Sequence, residues 1–416
     1  MERKRSEKPH VVVVGGGFGG LEAALSLRRQ LGDQVRLTLV SDKDDFLFRP
    51  HLIYVPFGFE PEQAKIDLVE IAAAKNLRFV RAHVHAIDPA KKTLELDSGP
   101  LPYDYLILAT GASIAPSGVP GLEEQAYAVW RESDLALLRL AFDRLLRKAE
   151  QGQQQQVVFL VPPTSQWAGP LYELAFMLAQ WLDWKEVREA VSIRFLTHEQ
   201  TYMGALGPQL HEALVEEFEQ HGIDAQVDQV VKRLDGKELV IESDERIASD
   251  LLIVSPTYQA AVTWEALPTD ADGFLRTELK TRQVIGHDAI YAVGDGSDYP
   301  VKQAFLALLQ ADAAVEHLAA WLLGTQPDFV FEPSSLWMME QFGQALFAQV
   351  PLGSDEEAEQ ESHIESVPPG LHQRVALRAH LPWQARTNNP LYAGLLWKGT
   401  RTGRNLLLYL MKREEQ

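Results

Sequence analysis

Val11-Val-Val-Val-Gly-Gly-Gly-Phe-Gly-Gly-Leu-Glu22 runs an apolar strand straight into a glycine turn and on into a helix rich in alanine and leucine. Such an opening commits the chain to a strand–turn–helix unit, the geometry of a dinucleotide cradle. Gly15 permits the tight bend, Gly17 lets a diphosphate approach the backbone, and Gly20 allows close helix–strand packing, with the phosphates facing the N-terminus of the helix at residues 20–30. A glycine-rich turn can also be a plain connector, and the flanks decide between the two. Val35-Arg-Leu-Thr-Leu-Val40 reads as a second strand, and Asp42 follows Gly20 by 22 positions, where a ribose-binding acid is expected.

With 416 residues, 46% of them hydrophobic, the chain can bury two sizeable cores. The expected fold is α/β, with two Rossmann-like dinucleotide-binding units. No uninterrupted apolar segment reads as long enough to span a bilayer, and the charged start at residues 1–10 lacks a secretory core, so a cytoplasmic chain is expected. The net charge of −19 disfavours nucleic acid as a partner. Cysteine is absent, which excludes disulfides, thiolate metal sites and thiol redox chemistry. The 12 histidines show no paired spacing with a third ligand, so no metal is expected.

From Val11 to about Ser113 the order is strand, helix, strand, a Phe- and Pro-rich loop (Phe46 to Phe59), a helical stretch and short strands, ending on Tyr103-Asp-Tyr-Leu-Ile-Leu-Ala-Thr-Gly111. A polar linker near Arg147 to Gln156 precedes a strand at Val157–Val161, a helix from Pro170 to Asp183, a strand at Ser192–Leu196 and a helix from Pro208 to His221. Ala289-Ile-Tyr-Ala-Val-Gly-Asp-Gly296 and a long helix at Ala304–Leu323 read as the chain returning to its first unit. The expected domains are therefore a discontinuous first unit (1–115 and 280–330), a second unit (116–279) and a C-terminal region (331–416).

The second unit echoes the first incompletely. After its first strand the chain reads Pro162-Pro-Thr-Ser-Gln-Trp-Ala-Gly169, with one glycine where a cradle wants three. Proline donates no amide hydrogen bond, and Gln166 and Trp167 would crowd a diphosphate, so NAD(P)H is not expected there in the usual way. Residues 354–366 read as a solvated acidic loop. Near the end, Leu391–Trp397 and Asn405–Met411 set apolar residues among Lys398, Arg401, Arg404, Lys412 and Arg413. Such a tail suits peripheral contact with an anionic membrane on the cytoplasmic face, packing on its own domain, or a homodimer contact.

The cradle, the Ala109-Thr110-Gly111 turn and Gly294-Asp295 together resemble the three FAD signatures of the flavoproteins with two dinucleotide-binding domains. Within that superfamily the chain is most similar to the sulfide:quinone oxidoreductases, and next to the type II NADH dehydrogenases. The resemblance rests on Ser41-Asp42, Phe46-Leu-Phe-Arg49-Pro50, Gly169-Pro-Leu-Tyr-Glu173, Thr197–Gly204 and Pro300-Val-Lys302-Gln303, and covers roughly residues 10–350. It implies FAD held by Gly15, Gly17, Phe18, Gly20, Asp42, Arg49, Pro50, Ala109, Thr110, Gly111, Gly294, Asp295, Lys302 and Gln303. Asp42 would hold the adenosine ribose and Asp295 the ribityl chain, with Pro50 against the flavin. Glu173 would lie near the reactive edge and Lys302 near the N1/C2 carbonyl side, the two assigned as catalytic. Lys302 there would stabilise the negative charge of a reduced flavin.

That family oxidises sulfide through cysteines, one just before the Gly-Pro segment and another near Trp337 and Met338. Here Trp167 and Ala168 stand at the first place, and Trp or Met cannot form a persulfide. The expected activity is therefore an FAD-dependent oxidoreductase passing electrons from an unidentified small-molecule donor to a quinone or similar acceptor without cysteine chemistry. The alternatives are a non-enzymatic FAD-binding descendant and an NADH:quinone oxidoreductase with an atypical NADH site. His51 reads as a solvated loop histidine. Trp337, Phe342 and Phe347 fall where the family forms its quinone pocket, although such a run is also ordinary core.

Overall fold

The structure is a computed structural model and describes residues 8–342, 345–352 and 362–367. Its first sheet is parallel, in the order Ile290–Ala292, Tyr105–Leu108, His10–Val14, Arg36–Ser41, Arg78–Arg81. His10–Val14 and Tyr105–Leu108 are buried at every position, as strands covered on both faces should be. The helix Phe18–Leu31, which follows the glycine turn, packs against Ala304–Leu323.

Ala304–Leu323 corrects one expectation. It has the length and the apolar composition, at mean hydropathy 1.3, to cross a bilayer, yet 72% of its apolar window is buried inside the molecule. It is a core helix enclosed between a sheet and a neighbouring helix, and such a helix is apolar nearly all round.

The second sheet is also parallel, in the order Tyr127–Ala128, Leu251–Val254, Gln155–Val161, Val191–Thr197, Asp224–Gln226. Helices Glu132–Glu150, Gly169–Trp184 and Pro208–Gln220 accompany it. The polar linker is shorter than expected: the helix continues to Glu150, and the strand starts at Gln155 because Gln155 pairs with Val191.

The Phe- and Pro-rich segment is not a loop. Asp45–Leu47 pairs with Lys65–Asp67, and Arg49–Phe57 winds as a 3-10 helix. Pro50 and Pro56 fix φ near the helical value, and Gly58, with φ 104°, ends the helix in the left-handed region. A third, antiparallel sheet contains Ser334–Glu340, Ala345–Pro351 and His363–Val367. Part of the expected acidic loop is thus a strand at His363–Val367, and residues 354–361 lie outside the described residues. The apolar and basic tail also lies outside them.

Candidate functional site

Four neighbouring strands of the first sheet end at Val14, Ser41, Leu108 and Ala292, and a cavity of about 480 Å³ opens at those carboxyl ends. This is where open α/β sheets bind ligands. Gly15, Gly17, Phe18, Asp42, Arg49, Pro50, Ala109, Thr110, Gly111, Glu173, Gly294, Asp295, Lys302 and Gln303 all line it. Gly20 sits behind the lining and closes the turn.

The cradle is built to close tolerances. Gly15 has φ +112°, and a Cβ there would meet the Ala109 carbonyl oxygen at 2.2 Å; at Gly20 a Cβ would meet the Gly15 carbonyl oxygen at 1.9 Å. A Cβ at Gly17 would meet nothing, so the turn is open on the cavity side. Gly17 is also the N-cap of Phe18–Leu31, with no side-chain cap and no acid in the first turn. The helix therefore presents uncapped amides and its positive end to the cavity, which suits a diphosphate.

Three charged groups face the far part of the cavity. Burial pushes the Asp295 carboxyl up, and Lys302 and Arg49 pull it back down. Arg49 sits with its guanidinium 4.6 Å from the Trp130 ring centroid, and Trp130 packs on Tyr258 at 4.7 Å. Lys302 is 4% exposed. Burial lowers its pKa to about 8, opposed by Asp295, Asp270 and Asp298.

Two of the predicted residues also brace the third sheet. Oε1 of Glu173 accepts the Glu340 amide at 2.8 Å, so this buried carboxylate anchors the strand Ser334–Glu340. Gln303 donates to the Leu336 carbonyl at 3.2 Å and accepts from the Ser335 hydroxyl at 3.2 Å. Both tie the strand carrying Trp337 to the cavity wall.

Trp167 and Trp337 both line the cavity and meet edge to face, with centroids 5.8 Å apart. The Trp167 ring also covers Gly169, where a Cβ would lie 2.6 Å from the indole, so glycine is needed to seat the ring on the helix start. The loop before it is fastened across the second sheet. Thr164 and Thr257 hydroxyls lie 2.6 Å apart and those of Ser165 and Ser255 2.7 Å apart. Ser255 donates to the Trp167 carbonyl at 3.1 Å. Gln166 donates to the Tyr258 carbonyl at 3.0 Å and accepts its amide at 2.9 Å. Gln166 is thus turned back on the protein rather than projecting into a nucleotide space.

Other expectations fare differently. His51 is buried, not solvated, and packs edge to face on Phe48 at 4.6 Å. The 3-10 helix turns it inward. Of the aromatic run, Trp337 alone reaches the cavity: Phe347 is fully buried, and Phe342 packs on Phe57 at 4.9 Å and Trp184 at 5.3 Å. Sequence reasoning missed Trp130. It lies in Ala128-Val-Trp-Arg131, which carries no motif, and only the fold brings it to Arg49. Among the described residues no cluster of His, Asp and Glu could hold a metal.

A turn with no room for a Cβ at Gly15 and Gly20, an uncapped helix start, an acid after the second strand and an acid–cation set around the buried Lys302 fit FAD. Residues 9–141 match the pyridine nucleotide-disulphide oxidoreductase family. That match covers about a third of the chain, and the residues of the cavity fit FAD as the cofactor of an oxidoreductase. The chain is similar to sulfide:quinone oxidoreductases, and its sequence contains no cysteine.

It is 28% identical over 260 residues to the sulfide-quinone reductase of Aquifex aeolicus, a match spanning 60% of this chain and 59% of that protein. To the demethylphylloquinone reductase NdbB of Synechocystis it is 26% identical over 306 residues, covering 70% of this chain and 72% of that one. The crystal structure of the Aquifex aeolicus sulfide:quinone oxidoreductase shares the fold, with TM-score 0.79 and 21% identity over 98% of this chain and 96% of that one.

Proposed function

We propose that this protein takes electrons from a small donor other than sulfide and delivers them to a quinone-type acceptor, using neither a thiol nor NAD(P)H bound in its second unit. The observation that carries the reading is the Trp167–Trp337 contact on the wall of the same cavity that Lys302 and Arg49 face. When bound, FAD supplies two-electron chemistry, accepting a pair from the donor and passing it to the acceptor.

The chain's own residues set the conditions for that exchange. Lys302 holds a positive charge at the cavity wall in a site with little water to screen it, which favours the state in which negative charge accumulates. The indoles present flat apolar surface on which a quinone ring can lie, and they exclude water. Glu173 holds the tryptophan-bearing strand in register through the Glu340 amide. The fastened loop at 162–168 covers the carboxyl end of the second sheet, which argues against a dinucleotide there. The basic, apolar tail suits contact with an anionic membrane surface, where a lipophilic quinone would be met.

A second reading is favoured by one comparison: the type II NADH:quinone oxidoreductase NdhA of Mycobacterium tuberculosis is 26% identical over 313 residues. The proposal is tested by reducing the FAD-loaded protein anaerobically with dithionite and mixing it with a soluble short-chain ubiquinone. Return of oxidised-flavin absorbance is expected. Absorbance that returns with oxygen but with no quinone would remove the acceptor from the proposal.

A further inference from the structure

Lys302 is seated on a ring. Its Nζ lies 3.5 Å from the Phe274 ring centroid and donates to the Ser297 carbonyl at 2.7 Å. Both side chains are buried, Phe274 at 3% exposure. The ring and the carbonyl belong to one fixed assembly. Leu275, next to Phe274, donates its amide to Gly296 at 3.0 Å, and the Phe274 amide donates to Asp270 at 2.9 Å. Ser297 is held in turn by Gln310, which accepts its hydroxyl at 2.7 Å and the Gly294 amide at 3.1 Å. The ammonium therefore has a two-point seat attached to the same turn that carries Asp295.

We propose that Phe274 is a positioning residue that keeps Lys302 charged and aimed into the cavity, so that a ring outside the cavity lining helps set the redox potential of the bound flavin. The inference rests on the reading of Lys302 as the cation that faces the flavin. A desolvated cation on an aromatic face is stabilised enough to hold its pKa up by about one unit or more. That support matters here because burial brings the lysine down to about 8, within reach of neutral pH. The other charges that face the ammonium are Asp295, Asp270 and Asp298, which favour it, and Arg282, which opposes it.

Reduction adds negative charge beside Lys302. Where the amine is neutral in the oxidised protein, reduction draws one further proton from solvent onto it, and the plot of potential against pH steepens. The experiment is a reference-dye titration of the FAD-loaded protein from pH 6 to 10 for wild type, Phe274→Leu, Phe274→Met, Phe274→Tyr and Lys302→Gln. The steep region is expected to vanish in Lys302→Gln, to move down by about one pH unit in the Leu and Met variants, and to stay in place in Phe274→Tyr, which keeps the ring. Leu and Met variants with the wild-type profile beside an altered Lys302→Gln overturn the role of Phe274. An unaltered Lys302→Gln overturns the reading of Lys302 beneath it. If the Leu variant fails to retain FAD, the Met variant carries the same comparison.

Discussion

Replacing Lys302 by methionine should make the FAD-free protein more stable at neutral pH, because the lysine is buried charged at a net cost. Its pKa falls from 10.5 to about 8 on folding, with burial the main cause. Between those two values the unfolded chain binds more protons than the folded one, so the wild type gains stability as pH rises through the window and loses it as pH falls through 8. A shift of this size corresponds to about 3 kcal/mol at roughly 1.36 kcal/mol per unit. About 2.5 kcal/mol of it should be recovered between pH 7 and pH 10. Methionine matches the lysine stem and does not titrate. Urea unfolding of both proteins at the two pH values measures the difference: the advantage of Lys302→Met should shrink by about 2.5 kcal/mol at the higher pH. An advantage independent of pH would refute the argument that a charged lysine is held there against burial.

Other substitutions probe the cradle, the wall and the loop. Gly15→Ala places a Cβ against the Ala109 carbonyl at a positive φ, and the purified protein should contain no FAD by absorbance. Trp337→Ala removes a buried indole and its edge-to-face partner, with an expected loss of about 3–5 kcal/mol in chemical unfolding. Gln166→Ala leaves the Tyr258 amide and carbonyl without their side-chain partner and should destabilise the protein by about 1–3 kcal/mol in the same assay.

The parts of the site legible in the sequence were those in which local backbone geometry dictates composition. Gly15 and Gly20 are glycines because neighbouring carbonyls leave no room for a Cβ, and that requirement survives as a spacing. The helix Ala304–Leu323 was readable because its burial demands apolar residues on nearly every side. Contacts made by distant segments left no such trace. The resemblance places Glu173 near the reactive edge, and its tie to Glu340 spans 167 positions. Trp130 and Arg49 come from different units and are joined only by the fold. His51 read as solvated because a Pro-rich segment resembles a loop, whereas the prolines wind it into a turn that faces inward.

The central claim is that one dinucleotide, FAD, is bound and that the second unit takes none. The most direct measurement is nucleotide stoichiometry on the purified protein, with extracted flavin quantified by chromatography and NADH then added anaerobically to the yellow protein. One FAD per chain, with no bleaching of the flavin on adding NADH, is the predicted result. Rapid bleaching at micromolar NADH, or a second nucleotide in the extract, would contradict it.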